Sequence, residues 1–255
     1  MKEGYRVFDT AQKYRNEEGV GRGLRNAFAK GLVARDEVFV TTKVWVDNYG
    51  YEKCIASVLD SLDRLQLDYV DCLMPHWPGV GLGPKLAEEN ARLRRETWQA
   101  LEWLQEQGLV RQLGVGNYNQ RHLAELLEYA VVPPAISQFE VHPYNSRYDL
   151  VQFCQDNNIQ VNAYSPLGGK GNKGAVTDLL LKDPVLRSIA TKYGKTTAQV
   201  ILRWDLQRGM VPIPKSSSLQ HFHENSDVYD FALSPEDMSA IQALDRGAFV
   251  ILDSE

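Results

Sequence analysis

Cysteine is scarce in this chain and forms no pattern. Its three cysteines, Cys54, Cys72 and Cys154, are odd in number, far apart and in no C-x-x-C spacing. That excludes a disulfide framework and a thiolate metal site, and suits a reducing compartment. Long apolar runs are also lacking: none approaches the roughly 18 residues of a membrane span. The opening Met1-Lys2-Glu3-Gly4-Tyr5 does not read as a signal peptide. Positive charge is not in excess, since 28 Lys and Arg stand against 33 Asp and Glu for a net charge of −5. The basic residues are scattered, which argues against nucleic acid or a membrane surface as a partner. No linker, repeat or low-complexity stretch interrupts the chain. What is present is 255 residues that are 44% hydrophobic and 24% charged, ample for a sizeable core. A soluble cytoplasmic protein with one domain over residues 1–255 is expected.

Short β-branched runs alternate with helical patterns throughout. The strand-like runs are Tyr5–Phe8, Val38–Thr42, Tyr69–Met74, Arg111–Val115, Ile136–Val141, Gln160–Ala163 and Met210–Ile213. Helical spacing covers Tyr51–Leu65, with Ile55, Val58, Leu59, Leu62 and Leu65 on one face, as well as Arg92–Gln107 and Ala198–Leu206. This alternation implies an α/β fold with a parallel sheet, either doubly wound or closed into a (β/α)8 TIM barrel. A dinucleotide fingerprint is missing: Gly19-Val20-Gly21-Arg22-Gly23 falls inside a helical stretch, and Gly114-Val115-Gly116 lacks a third glycine at the required offset. Polar residues, by contrast, mark successive strand ends: Asp9, Lys43, His76, Asn117, Gln138, Tyr164 and Lys215. Barrel enzymes gather their chemistry on that face, so the barrel is the preferred reading. About seven β/α units are counted, so the barrel is expected to lack its first strand and helix.

The ionisable residues on that face suit carbonyl chemistry. Tyr14 lies five residues past Asp9 and can lean over the strand mouth. A phenol titrates near pH 10, and a nearby ammonium would bring it down. Lys43 and Asp9, on adjacent strand ends, can supply an ammonium and the carboxylate that holds it. His76 can hydrogen-bond a phenol or a substrate carbonyl. Trp45 and Trp77, each near one of these residues, can wall an apolar substrate pocket. Each residue alone has a bland reading as helix cap, core aromatic or surface charge; the set on consecutive strand ends carries the signal. His221 and His223 read as solvated helix-end residues, His142 as the cap of a strand end, and Cys72 as a buried, inert thiol. No metal site is expected.

These residues stand in segments that resemble the aldo-keto reductases. Gly4 to Tyr14, followed by Asn16-Glu17, is similar to that family's first signature. Thr41-Thr42-Lys43-Val44-Trp45 and Leu73-Met74-Pro75-His76-Trp77-Pro78 are similar to its lysine and histidine strands. Gly114–Tyr118, Gln138–Pro143, Ala163–Gly168 and Ile213–Ser216 continue the series to about Asn225. The resemblance implies an NAD(P)H-dependent reductase of aldehydes and ketones, an alcohol:NADP oxidoreductase. Tyr14 would be its general acid, Lys43 the modifier of that acid's pKa, Asp9 the partner of Lys43, and His76 the substrate orienter. For NADPH, with NADH as a second choice, it implies Asn117 and Gln138 on the carboxamide and Tyr164 stacked on the nicotinamide. Ser165 and Leu167 would meet the pyrophosphate, Lys215 and Ser216 the 2′-phosphate, and His221, Glu224 and Asn225 the adenosine end.

The chain departs from the family's pattern at two positions. Gly116 stands where serine is usual, which removes one expected hydrogen bond to the nicotinamide. His221 replaces an arginine, so discrimination for NADPH over NADH is expected to be reduced. A monomer acting on a small carbonyl compound is expected. The alternative is a cofactor-binding but poorly catalytic protein of the same fold, acting as a redox sensor or interaction partner. A Schiff-base aldolase built on Lys43 is disfavoured, because Asp9 keeps the amine charged.

Overall fold

In a computed structural model, residues 4–81, 84–169 and 176–249 are described. The chain divides into two compact units between Ser137 and Gln138. In the first unit, strand β1 (Val7–Asp9) leads through a 3-10 turn, Gln12–Tyr14, to α1 (Glu17–Ala29). Then come β2 (Phe39–Val44), α2 (Tyr51–Leu65), β3 (Val70–Pro75), α3 (Ala87–Glu106), β4 (Val110–Gly116) and α4 (Gln120–Tyr129). Strand β5 (Ile136–Glu140) spans the division. The second unit holds α5 (Tyr148–Asp156), β6 (Gln160–Tyr164), α6 (Val176–Lys182), α7 (Pro184–Tyr193), α8 (Thr197–Gln207), β7 (Val211–Ile213), α9 (Leu219–Ser226) and α10 (Pro235–Gln242).

Strand order follows chain order from β1 to β7. A doubly wound sheet reverses its order at a switch point, so this succession marks the α/β barrel class. Helix ends follow their local chemistry. Asp183 caps α7 by accepting from the N–H groups of Val185 and Leu186, with Pro184 in the first turn and Gly194 ending it at φ 63°. Thr196 and Gln199 close a capping box on α8.

Register explains how the first unit's polar strand ends come together. Asp9 lies beside Thr41, and Lys43 beside Met74. Side chains alternate along a strand, so Asp9, Thr41 and Lys43 share a face with Cys72, Met74 and His76. Each successive strand carries its polar residue two positions further along the shared register. Beneath them, Cys72, Met74 and Ile136 pack with Phe39 and Ala135 as the apolar floor.

Two expectations change. Leu59 is exposed on α2, and Ser57 and Ser61 are buried instead, because the adjoining turn sends a polar side chain there. Helix α3 begins at Ala87, five residues before the periodic stretch. Its first turns are polar and tied by Arg92 to Glu89 and Glu96 at 2.7 and 2.6 Å, which an apolar pattern does not reveal. His142, two residues past the end of β5, is fully buried, with Nε2 3.1 Å from Glu140 Oε1. Two glycine-rich segments of the sequence, 79–84 and 168–174, and an apolar run, 249–252, include residues 82–83, 170–174 and 250–252, which lie outside the described residues. Phe249, at the edge of that run, lies under the Arg147 guanidinium.

Candidate functional site

The first unit assembles Asp9, Tyr14, Lys43 and His76 at the carboxyl ends of β1, β2 and β3. Lys43 is 1% exposed; its Nζ donates to Asp9 Oδ1 at 2.6 Å and to the Thr10 carbonyl at 3.0 Å. The ammonium lies 5.2 Å from the centre of the Tyr14 ring. Tyr14 in turn stands edge-on to His76, with ring centres 5.5 Å apart. Trp45 meets the same imidazole edge-on at 5.4 Å.

The electrostatics differ from the expected lowering of the phenol. Tyr14 is half-exposed at the strand mouth, and partial desolvation, then the Asp9 carboxylate, push its phenol above the ordinary value. The Lys43 charge is committed to Asp9 and a carbonyl, so the pair is nearly self-neutralised and leaves little to pull the phenol down. His76 is lowered to about 3 by burial, then by the Lys43 and Lys13 charges. Its Nδ1 is buried with no hydrogen-bond partner among the described residues. The cluster therefore holds a protonated phenol against a neutral imidazole.

A residue that sequence reasoning passed over sets the position of Tyr14. Gln12 Nε2 donates to the Ser57 carbonyl and to Ser57 and Ser61 Oγ, each at 3.1 Å. Its Oε1 accepts from Trp45 N–H at 2.8 Å and Asn48 Nδ2 at 2.9 Å. Both ends of one amide thus bind the Tyr14 turn to α2 and to the chain after β2. Nearby, buried Glu17 accepts from Thr42 Oγ1 at 2.6 Å and pairs with Arg64 at 2.7 Å. Trp77 is anchored at its backbone, where Tyr49 hydroxyl donates to the carbonyl and accepts from the N–H. The available signal for Gln12 was its place inside the first motif; for Tyr49 there was none.

Asn117 sits at the end of β4 in left-handed backbone, φ 61°, and its Nδ2 donates to the His76 carbonyl at 2.9 Å. Gly116 has a reason beyond a lost hydrogen bond. A Cβ there would lie 2.8 Å from the His76 carbonyl oxygen and 3.0 Å from that of Pro75, so serine has no room without a shift.

The second unit brings the remaining candidates to its own strand ends and to α9. Gln138 is buried on β5 and Tyr164 half-buried at the end of β6. Ser165 follows in left-handed backbone, φ 48°, and its carbonyl accepts from Gly168 N–H at 2.7 Å, which curls Pro166 and Leu167 into a tight turn. After β7, Lys215 is exposed and has no ion-pair partner among the described residues. Ser216 Oγ accepts from Ser218 N–H at 3.1 Å, leading into the first turn of α9. His221 and His223 are exposed on that helix, Glu224 is half-buried and Asn225 buried. A free cation beside a helix N-terminus, whose first N–H groups lack helical acceptors, fits a phosphate. The residues present fit a phosphorylated dinucleotide.

Comparison with known proteins agrees. A family model described as the Aldo/keto reductase family matches residues 1–246. A glyoxal reductase of Bacillus subtilis (strain 168) is 44% identical over 246 residues, 96% of this chain and 81% of that protein. The solved structure of an aldo-keto reductase from a Medee basin deep-sea metagenome library superposes with a TM-score of 0.89 at 38% identity, covering 99% of this chain and 86% of that one. A Bombyx mori aldo-keto reductase solved in complex with NADP gives 0.88 at 37% identity, over 98% and 81%.

Proposed function

This chain belongs to the aldo/keto reductase family and is an NADP-dependent oxidoreductase, and we propose that it reduces aldehydes and ketones to alcohols with Tyr14 as the proton donor. The observation that carries this is the pairing of a protonated phenol with a neutral, buried imidazole over the Lys43–Asp9 ion pair. A general acid must hold its proton until the alkoxide forms, and a phenol raised above its ordinary value does so across the physiological range. His76 has an unpartnered Nδ1, and a buried bare lone pair costs less than a bare N–H. The proton of the neutral ring is therefore assigned to Nε2, which orients the substrate carbonyl by donating to its oxygen. Two preorganised donors around a developing oxyanion supply much of the barrier lowering. Trp45 and Trp77 limit water and wall the apolar part of the substrate.

When bound, NADPH supplies the hydride. Asn117 and Gln138 would hold its carboxamide and Tyr164 its ring. Ser165 and Leu167 would hold the pyrophosphate, Lys215 and Ser216 the 2′-phosphate, and His221, Glu224 and Asn225 the adenosine end. With histidine at 221, NADH is also accepted, since an imidazole lacks the guanidinium fork that grips a phosphate. The glyoxal reductase relative supports small aldehydes as substrates. The family match running across the Ser137–Gln138 division supports a single catalytic domain. A monomer in the cytoplasm, with no nucleic-acid partner, suits three buried cysteines outside any disulfide and the net negative charge; no described helix is long and apolar enough to cross a membrane.

The test compares wild type with Tyr14→Phe, following NADPH absorbance with 4-nitrobenzaldehyde and cofactor binding by NADPH fluorescence. Turnover is expected to fall by about 10²–10⁴-fold with binding retained. Full activity in Tyr14→Phe would remove the phenol from the reaction. Cofactor binding without turnover in wild type would leave a binding protein and refute the reductase.

A further inference from the structure

Lys13 lies between Gln12 and Tyr14 in the 3-10 turn and is exposed. Its backbone is fixed by its neighbour, since Gln12 ties the turn to Ser57, Ser61, Trp45 and Asn48. Its ammonium rests 4.3 Å from the centre of the Trp45 ring. That ring is the one that meets His76 edge-on at 5.4 Å. The cation is thus held one aromatic ring away from the imidazole, on the same short turn as the phenol.

Charge around this cluster does not cancel. Lys43 is matched by Asp9, and Tyr14 and His76 are both neutral. Lys13 has no carboxylate partner among the described residues. Some other exposed lysines are paired, Lys192 with Asp237 and Lys182 with Asp178, so a free surface ammonium is not imposed by a lack of carboxylates in the chain. The Lys13 charge therefore stands uncompensated by a carboxylate among the described residues, and its influence reaches the imidazole, where it opposes protonation after burial and Lys43. An ammonium lying on an aromatic face keeps N–H groups turned away from the ring, free for an oxyanion.

We propose that Lys13 selects carbonyl substrates carrying an anionic group, a carboxylate or a phosphate, within a few bonds of the carbon to be reduced. This rests on the reductase reading, with Trp45 as the shelf that holds the charge. A neutral aldehyde would bind through the aromatic wall alone, whereas an anionic one also gains the ammonium.

The experiment measures kcat/KM for 4-carboxybenzaldehyde, 4-formylphenyl phosphate and the neutral, similarly shaped 4-nitrobenzaldehyde. Wild type is compared with Lys13→Met, which keeps the apolar stem, and with Lys13→Arg, which keeps the charge. The ratio of either anionic substrate to the neutral one is expected to fall about tenfold in Lys13→Met and to be largely retained in Lys13→Arg. In wild type that ratio is expected to fall with added salt, as for an exposed charge. The substrate with the larger fall identifies the preferred anion. A ratio unchanged in Lys13→Met overturns the assignment while leaving the reductase standing. An equal loss in both variants also overturns it, since a structural role would not distinguish Met from Arg by charge. No turnover of any aldehyde by wild type overturns the reductase reading, and this inference with it.

Discussion

At His76, burial and two ammonium groups act together: the ring is 8% exposed and its pKa falls to about 3. An unfolded histidine titrates near 6.5. Between those values the unfolded chain takes up a proton that the folded one refuses, so stability decreases as pH is lowered from about 6.5 to about 3 and this contribution levels off below. A His76→Asn variant, unable to titrate, is expected to show a shallower acid-side fall in denaturant-derived stability, by on the order of a few kcal/mol over the window. Identical slopes would mean that the imidazole is not held neutral by the fold. Tyr14 shows the converse lesson. The lysine, aspartate and tyrosine were legible as a set from the motif, yet the direction of the phenol's shift was not. It depends on how completely Lys43 is spent on Asp9, a matter of ångströms that spacing does not carry.

Among the elements, the strands were the most legible, because β-branched runs ended by polar residues announce both their extent and their outward ends. Helix α2 was read at its observed limits, Tyr51 to Leu65. Its buried face was not: Leu59 looked like core, but Ser57 and Ser61 are the inward positions because Gln12 needs acceptors there. A polar hub of that kind has no period to detect. The glycine cluster in α1 has a related explanation. A Cβ at Gly21 would sit 2.1 Å from the Leu65 carbonyl oxygen, so α1 and α2 approach each other at this point with no space for a methyl group. At Gly19 a Cβ would meet only the Arg22 guanidinium at 3.8 Å. Gly21→Ala is therefore expected to cost at least about 2 kcal/mol by overpacking. Gly19→Ala should instead gain about 0.5–1 kcal/mol from helix propensity. Urea unfolding of the two variants checks the opposite signs; equal effects would refute the close approach.

For the whole molecule, composition was informative mainly through its exclusions. Scattered charge and few cysteines removed several classes of protein before any motif was weighed, and the ordered series of strand-end residues did the rest. The three cysteines are all fully buried and none is in a disulfide. Burial holds the Cys54 and Cys72 thiols up at about 12, where the reactive thiolate is negligible at neutral pH. The folded protein is expected to give no reaction with Ellman's reagent over minutes, and three thiols once unfolded in urea. Rapid labelling of any thiol in the native state would show that the burial is not maintained in solution.

The depth of Lys43 also matters for chemical modification. Amine-directed reagents such as acetic anhydride or formaldehyde with borohydride need an accessible nitrogen. Lys43 is 1% exposed and held by a carboxylate, whereas Lys13 stands open on the neighbouring turn. Gentle acetylation thus separates the two amines without a single codon change, silencing the outer charge while the inner one survives, and peptide masses report which was touched.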